Sequence, residues 1–356
     1  MSRRKSQDRS PLILGCMGLG GAWEAETFGE AEIRKADAAV RAALDAGIDS
    51  FDHADIYSLG KAEAVFGKLL EREPSLRSRV FLQTKCGIRP AGLAGRDDWN
   101  PPTGRERSGY DPARYDFSRS WILASVDASL KRLRTDHIDR LLLHRPDPLM
   151  EIDEVVEAFT RLREEGKVLG FGLSNFSSAA AARLAESLDE VGIAVECDQV
   201  EFSLLHHDLV EAGIMAGQRP WAPRPWRGEF DSEGDAAAPV AAGSLDLASF
   251  CLEAGIEIQA WGCLAQGWLS GRQLPAEAPP SLVATAALVG RIASERGVPA
   301  EAIVLGWLLR LPWDLRPVIG TSDPARIAAC AKALDLELSR EEWYALYESA
   351  RGAAMP

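Results

Sequence analysis

No apolar run in this chain of 356 residues is long enough to span a bilayer, so no membrane partner is expected. No C-x-x-C pair occurs among its six cysteines. Cys16, Cys86, Cys197, Cys251, Cys263 and Cys330 are scattered, which fits reduced thiols in a cytoplasmic protein better than a disulfide frame or a zinc site. No G-x-G-x-x-G opens a helix, so Gly15, Gly18, Gly20 and Gly21 are not a dinucleotide fingerprint. Positive charge is short: 40 Lys and Arg stand against 53 Asp and Glu, a net charge of −13 that argues against nucleic acid as a partner. The basic start, Met1-Ser2-Arg3-Arg4-Lys5, is followed by no apolar h-region, because Pro11-Leu12-Ile13-Leu14 is short and runs into glycines. No signal peptide is therefore expected.

What is present is alternation. Short apolar runs at 12–15, 48–52, 80–87, 137–144, 168–175, 195–202, 256–261 and 316–320 read as strands. Helical patterns follow at 31–46, 62–71, 117–133, 151–165, 177–188, 206–218, 245–254, 281–296, 299–309 and 323–334, and a last helix at 339–351 opens on the capping box Ser339-x-x-Glu342. Strand–helix repetition means parallel strands joined by right-handed crossovers. Eight repeats predict an α/β fold, a closed (β/α)8 TIM barrel over 12–351 with long loops at its C-terminal face and a C-terminal helix; an open doubly wound sheet is the alternative. Residues 1–11 read as a flexible tail. Residues 88–116 read as a long functional or mobile loop. Residues 219–243, with four prolines, read as an irregular insertion.

Barrel chemistry sits at the C-terminal ends of the strands. Taken in order, those ends carry Gly20 and Gly21, Asp52 with Tyr57, Lys85, His144, Ser174-Asn175, Gln199, Trp261, and Gly320-Thr321-Ser322. Asp, Lys and His stand singly at three successive ends, which is an acid–base constellation. A cation near Tyr57 is expected to stabilise the tyrosinate and draw the phenol below its usual pKa of about 10, and Asp52 to keep Lys85 charged. His144 is suited to orienting a substrate oxygen. Each residue alone has a blander reading, as a salt bridge or a satisfied hydrogen-bonding group; it is their convergence on one mouth that points to catalysis. His53 and Asp55 receive no role, and His206-His207 reads as a helix start, with no metal site expected. The glycine loop before Trp23 suits close backbone approach to a ligand, with Trp23 as a wall. A phosphate-binding isomerase or lyase ranks lower, for want of a second acidic base near the strand ends.

These residues resemble the aldo-keto reductase family. The likeness rests on Phe51-Asp52-His53-Ala54-Asp55-Ile56-Tyr57, Thr84-Lys85, Leu141-Leu142-Leu143-His144-Arg145-Pro146-Asp147, Gly172-Leu173-Ser174-Asn175-Phe176, Asp198-Gln199-Val200-Glu201-Phe202-Ser203 and Val318-Ile319-Gly320-Thr321-Ser322 with Arg326. It spans nearly the whole chain in order and looks like a bacterial branch of oxidoreductases. It implies NADP(H), with NAD(H) also admitted, bound in extended form, and hydride transfer to the carbonyl of an aldehyde or ketone. By that resemblance Tyr57 is the general acid, Lys85 and Asp52 its tuning pair, and His144 the orienting residue. Ser174, Asn175 and Gln199 would bind the carboxamide, Trp261 would stack on the nicotinamide, and Gly21 and Asp52 would adjoin the cofactor. Gly262, Cys263, Leu264 and Gln266 would follow the pyrophosphate, and Gly320, Thr321, Ser322 and Arg326 the adenosine phosphate. Trp23, Tyr57 and His144 would face the substrate. Thr321 stands where many members have lysine, and the family's N-terminal hairpin is largely missing before Leu12. The expected partner is a small carbonyl compound, and the expected form a monomer or weak homo-oligomer. The runner-up is a cofactor-binding regulatory or interaction subunit of the same fold, motivated by the 219–243 insertion.

Overall fold

A computed structural model describes residues 9–25, 27–90, 112–212 and 247–355. Within them eight parallel strands close into a ring: β1 (Ile13–Gly15), β2 (Ser50–Asp52), β3 (Phe81–Cys86), β4 (Ile138–Leu143), β5 (Val168–Ser174), β6 (Val195–Glu201), β7 (Glu257–Trp261) and β8 (Leu315–Ile319). Chain order is ring order, and Ile13 pairs with Val318 on one side and Ser50 on the other to complete the circle. The barrel expectation holds, and the open sheet does not.

Helices α1 (Glu30–Asp45), α2 (Lys61–Arg72), α3 (Arg119–Leu133), α4 (Ile152–Glu164) and α5 (Ser178–Asp189) follow the first five strands, β4 and β5 being joined by α4. A short α6 (Asp208–Ala212) precedes α7 (Leu247–Ala254), and α8 (Pro280–Arg296), α9 (Ala300–Leu309), α10 (Pro324–Ala331) and α11 (Arg340–Arg351) complete the outer layer. The sequence supplies their ends. Ser118, Ser177 and Asp323 accept from backbone N–H groups of the first turn, and Ser339 with Glu342 forms the expected capping box. The helix expected at 323–334 ends in a 3-10 turn from Lys332 to Asp335. Ile33, Val40 and Ala43 on α1, and Val155, Phe159 and Leu162 on α4, face the ring and are buried. Phe159 stacks on Phe171 of β5 at 4.2 Å. Each such side chain contributes about 1.5–3 kcal/mol by leaving water.

Residues 88–116 keep only their ends in view. Ile88 pairs with Tyr115 and Arg89 with Arg114 as a short antiparallel hairpin, and 91–111 lie outside the described residues. The helix expected at 206–218 begins only at Asp208 and is seen to Ala212, since His206 pairs with Ser203 in an isolated bridge; 213–218 and the 219–243 insertion also lie outside the described residues.

The ring's interior is polar, where barrels of this kind are usually filled with branched apolar side chains. At the N-terminal ends of the strands, Arg140 bonds Glu257 at 3.0 Å and Glu196 at 2.9 Å, and Arg316 lies 3.5 Å from Glu257. Arg316 also donates to the Ser50 hydroxyl and to the Ser10 carbonyl, so the backbone at Ser10 closes this floor. Burial opposes the charge on Glu257, but the two guanidinium groups outweigh it and hold the carboxyl below its usual range. Gln83 and Gln259 occupy the middle of the ring, and the expected catalytic groups its C-terminal mouth.

Candidate active site

Two residues apart on β3, Gln83 and Lys85 point to the same side of the sheet, into the ring. Lys85 ends wholly buried. Its ammonium donates to Asp52 Oδ2 at 2.7 Å, to the His53 carbonyl at 2.9 Å and to the Tyr57 hydroxyl at 2.9 Å. Three protons meet three acceptors. Asp52 ends β2, and Tyr57 lies in the turn beyond it. That turn continues through Ser58, Leu59 and Gly60 at φ 48°, 55° and 82°, three left-handed residues in a row before α2 opens. Such a run costs strain at Ser58 and Leu59 and recurs where a side chain must be aimed. The 3-10 turn from Met17 to Gly20 presses against it. A Cβ on Gly20 would stand 2.7 Å from both the Ala62 nitrogen and Ser58 Cβ, so only glycine fits there. Lys61 reaches back to donate to the carbonyls of Ala22, at 2.6 Å, and Ala25, tethering the loop that carries Trp23.

Electrostatically the three groups differ. Burial opposes the charge on Lys85, yet Asp52 and then Tyr57 outweigh it and the ammonium titrates higher than usual. For Tyr57 the sequence leads one to expect a lowered phenol; in the structure burial is the largest influence and Lys85 only partly offsets it, so the hydroxyl titrates above its ordinary value and keeps its proton. His144 is driven well down by burial, then by Lys85 and Arg145, and is neutral. Its ring meets that of Tyr57 edge-on at 5.9 Å, and its Nδ1 has no hydrogen-bond partner among the described residues. His53, buried against Phe66, is pushed down to about 3 by burial and then Lys85, and it too is neutral.

A cavity of 590 Å³ opens on this cluster, within the usual size of a small-molecule site. Asp52, Tyr57, His144, Ser174, Asn175, Gln199 and Trp261 line it, as does Trp23. Gly262, Cys263, Leu264, Gln266, Gly320, Thr321 and Arg326 line its continuation. Lys85 lies behind Asp52 and Tyr57, and Gly21 and Ser322 are not among the lining residues. Asn175, left-handed at φ 64°, donates to the His144 carbonyl and accepts from the Trp261 indole at 3.0 Å, which fixes the indole plane. Arg326 sits at the far end, held by Glu301 at 3.2 Å and Ser270 at 2.9 Å. The 3-10 turn Ala265–Gly267 beside it carries left-handed φ at Ala265 and Gln266. A flat indole, a pair of amides and a guanidinium strung along one groove suit, in turn, a heteroaromatic ring, a carboxamide and a phosphate. No group of three or more His, Cys, Asp or Glu among the described residues could hold a metal ion.

Sequence reasoning missed Met17, Ile56 and Arg145, which also line the cavity, and it missed Lys61. It missed Gln83 as well, whose amide donates to Asp52 Oδ1 at 2.7 Å, although period two back from Lys85 points to it.

Comparison with known proteins covers nearly the whole chain. Residues 11–216 and 241–351 match the model of the aldo/keto reductase family. Oxidoreductase YdhF of Escherichia coli K12 is 32% identical over 315 residues, 88% of this chain and 86% of that protein. A 6-dehydroglucose reductase of Agrobacterium fabrum C58 is 31% identical over 334 residues, 93% of each. A glycerol dehydrogenase of Gluconobacter oxydans has a similar fold, with a TM-score of 0.70 at 21% identity, over 96% of this chain and 91% of that one.

Proposed function

Since the chain belongs to the aldo/keto reductase family, we propose that this oxidoreductase reduces aldehydes or ketones to alcohols with a nicotinamide nucleotide, Tyr57 being the proton donor. The observation that carries the reading is the Lys85 ammonium, 2.9 Å from the Tyr57 hydroxyl and 2.7 Å from Asp52, both of which line a cavity of 590 Å³. When bound, the reduced nicotinamide supplies a hydride to the carbonyl carbon. Tyr57 gives its proton to the carbonyl oxygen as negative charge develops there. Burial keeps that proton in place until it is needed. The Lys85 ammonium then faces the phenolate it leaves, and Asp52 holds the ammonium still. Neutral His144 positions the substrate oxygen beside Tyr57. Ser174, Asn175 and Gln199 hold the carboxamide, and Trp261 covers the ring.

Arg326 at the cavity supports NADP(H) as the preferred nucleotide, held through the adenosine phosphate; Thr321 in place of a lysine leaves NAD(H) able to serve. Trp23 and Arg145 border the substrate end. The sugar aldehyde in the name of the Agrobacterium relative makes polyhydroxylated aldehydes the first substrates to try. We read the working form as a monomer or weak homo-oligomer in the cytoplasm. The test is fluorescence titration with NADPH and NADH, followed by a panel of aldehydes, ketones and sugar aldehydes with the tighter nucleotide. Quenching by NADPH and turnover of a panel member are expected. Binding without turnover of any carbonyl would overturn the reductase reading, and quenching by neither nucleotide would overturn the cofactor assignment.

A further inference from the structure

Between the floor and the mouth of the ring lie three glutamines whose hydrogen bonds fix the direction in which each amide faces. The Gln259 amide nitrogen donates to Glu257 Oε1 at 2.7 Å and to Gln83 Oε1 at 3.0 Å. Its oxygen accepts from Gln83 Nε2 at 2.8 Å and from Gln199 Nε2 at 2.9 Å. The same two nitrogens donate to Asp52 Oδ1, at 2.7 Å and 3.1 Å. All six amide hydrogens are thereby used, and all three side chains are buried.

The direction has a cause. A carboxylate only accepts, and Glu257, set between Arg140 and Arg316, is a carboxylate. It can be met only by the nitrogen of Gln259. That turns the Gln259 oxygen toward Gln83 and Gln199, which must then present their nitrogens, and those nitrogens reach Asp52. A reversed amide at any point would set two oxygens or two NH2 groups against each other in a dry interior, at the cost of an unmade buried hydrogen bond.

We propose that Gln83 and Gln259 are positioning residues, a relay by which the ion cluster on the barrel floor fixes the amide of Gln199 and the carboxylate of Asp52. Both amide hydrogens of Gln199 are spent inside the protein, so what it can offer a nicotinamide carboxamide is its oxygen, a site for the carboxamide NH2. The use of the relay rests on the nicotinamide reading above; its existence does not.

The experiment has two arms. In the free protein, 15N–1H spectra follow the side-chain NH2 of Gln199. Both hydrogens are expected to exchange slowly in the wild-type chain and quickly in Gln259→Met. With nucleotide, titration compares the reduced dinucleotide with its 3-acetylpyridine analogue, which lacks the carboxamide NH2. The wild-type chain should prefer the carboxamide form by about tenfold, the worth of one good buried hydrogen bond, and Gln259→Met and Gln83→Met should lose most of that preference and about tenfold in kcat. Gln83→Met leaves the Gln259–Glu257 bond in place and serves as the second variant, so a Gln259→Met chain that fails to fold does not end the test. A folded Gln259→Met with unchanged Gln199 exchange and unchanged preference would overturn the relay. Slow Gln199 exchange in a chain that binds neither dinucleotide would instead sustain the relay and overturn the nicotinamide reading.

Discussion

The mouth and the floor of this barrel are built from the same kind of pair. Each buries a carboxylate against a cation, Asp52 with Lys85 above and Glu257 with Arg140 and Arg316 below. At the floor the remaining hydrogen bonds among the described residues go to fixed protein groups: Glu196, Ser50, the Ser10 carbonyl and the Gln259 amide. At the mouth one proton of the ammonium goes to a phenol that faces a cavity. A buried ion pair is weak evidence for stability by itself, since desolvation offsets its attraction. The third group that each pair touches decides what the pair is for.

Tyr57→Phe strikes the mouth alone and should have the largest effect. The ring stays, the Lys85–Asp52 pair stays, and the proposed proton donor goes. Turnover should fall by about 10²–10⁴, the usual share of a general acid, with nucleotide affinity within twofold of wild type; rate assays and fluorescence titration on the same sample read both. Turnover that survives would mean the two ends do not differ as argued.

Arg316→Met strikes the floor. It removes bonds to Ser10 and Ser50 and leaves Glu257 with one cation. Unfolding in urea should show a loss of about 3 kcal/mol, with far less change in turnover below the unfolding transition than Tyr57→Phe causes.

A third buried carboxyl sharpens the comparison because it has no cation. Asp198 is enclosed, both its oxygens are without a hydrogen bond of good geometry among the described residues, and burial pushes it up to about 8. The folded chain therefore binds a proton that the unfolded chain gives up near pH 4. The stability this protonation gives is fully present below pH 4 and is lost as pH rises toward 8. Asp198→Asn should gain about 2 kcal/mol at pH 8 and nothing at pH 4, as thermal unfolding at the two pH values would show.

Lys61→Met is expected to do least. It frees the Ala22 and Ala25 carbonyls and the loop bearing Trp23, which is 42% exposed. KM for the carbonyl should rise about threefold, the loss of one modest contact, with kcat nearly unchanged. Steady-state kinetics on a single substrate would detect a matching fall in kcat, which would place Lys61 closer to the chemistry.

The mouth was legible in the sequence because its residues obey the rule of the fold: an apolar run, then a polar group where the strand ends. Asp52, Lys85 and His144 could be found that way before any contact was known. The floor was not legible, because Arg140, Glu257 and Arg316 stand at the beginnings of strands, where no chemistry is expected. Gln83 and Gln259 were hidden for a related reason, being polar residues in mid-strand that read as interruptions of a core. Lys61 gave no signal at all, since its partners are backbone carbonyls 36 and 39 residues away. The direction of the Tyr57 shift needed the burial of the phenol, which spacing does not supply.

The circle closes between Ile13 and Val318, the first strand against the last. On the ribosome, then, the strands that carry Asp52 and Lys85 emerge early and wait, their edge unmet, while more than half the chain is still to be made. Pairings this distant are slow to form, and open strand edges invite association with other chains. Translation of the final strand is what seals the ring, so a nascent chain stalled before Leu315 would carry Asp52, Tyr57 and Lys85 without the barrel that dries and aims them.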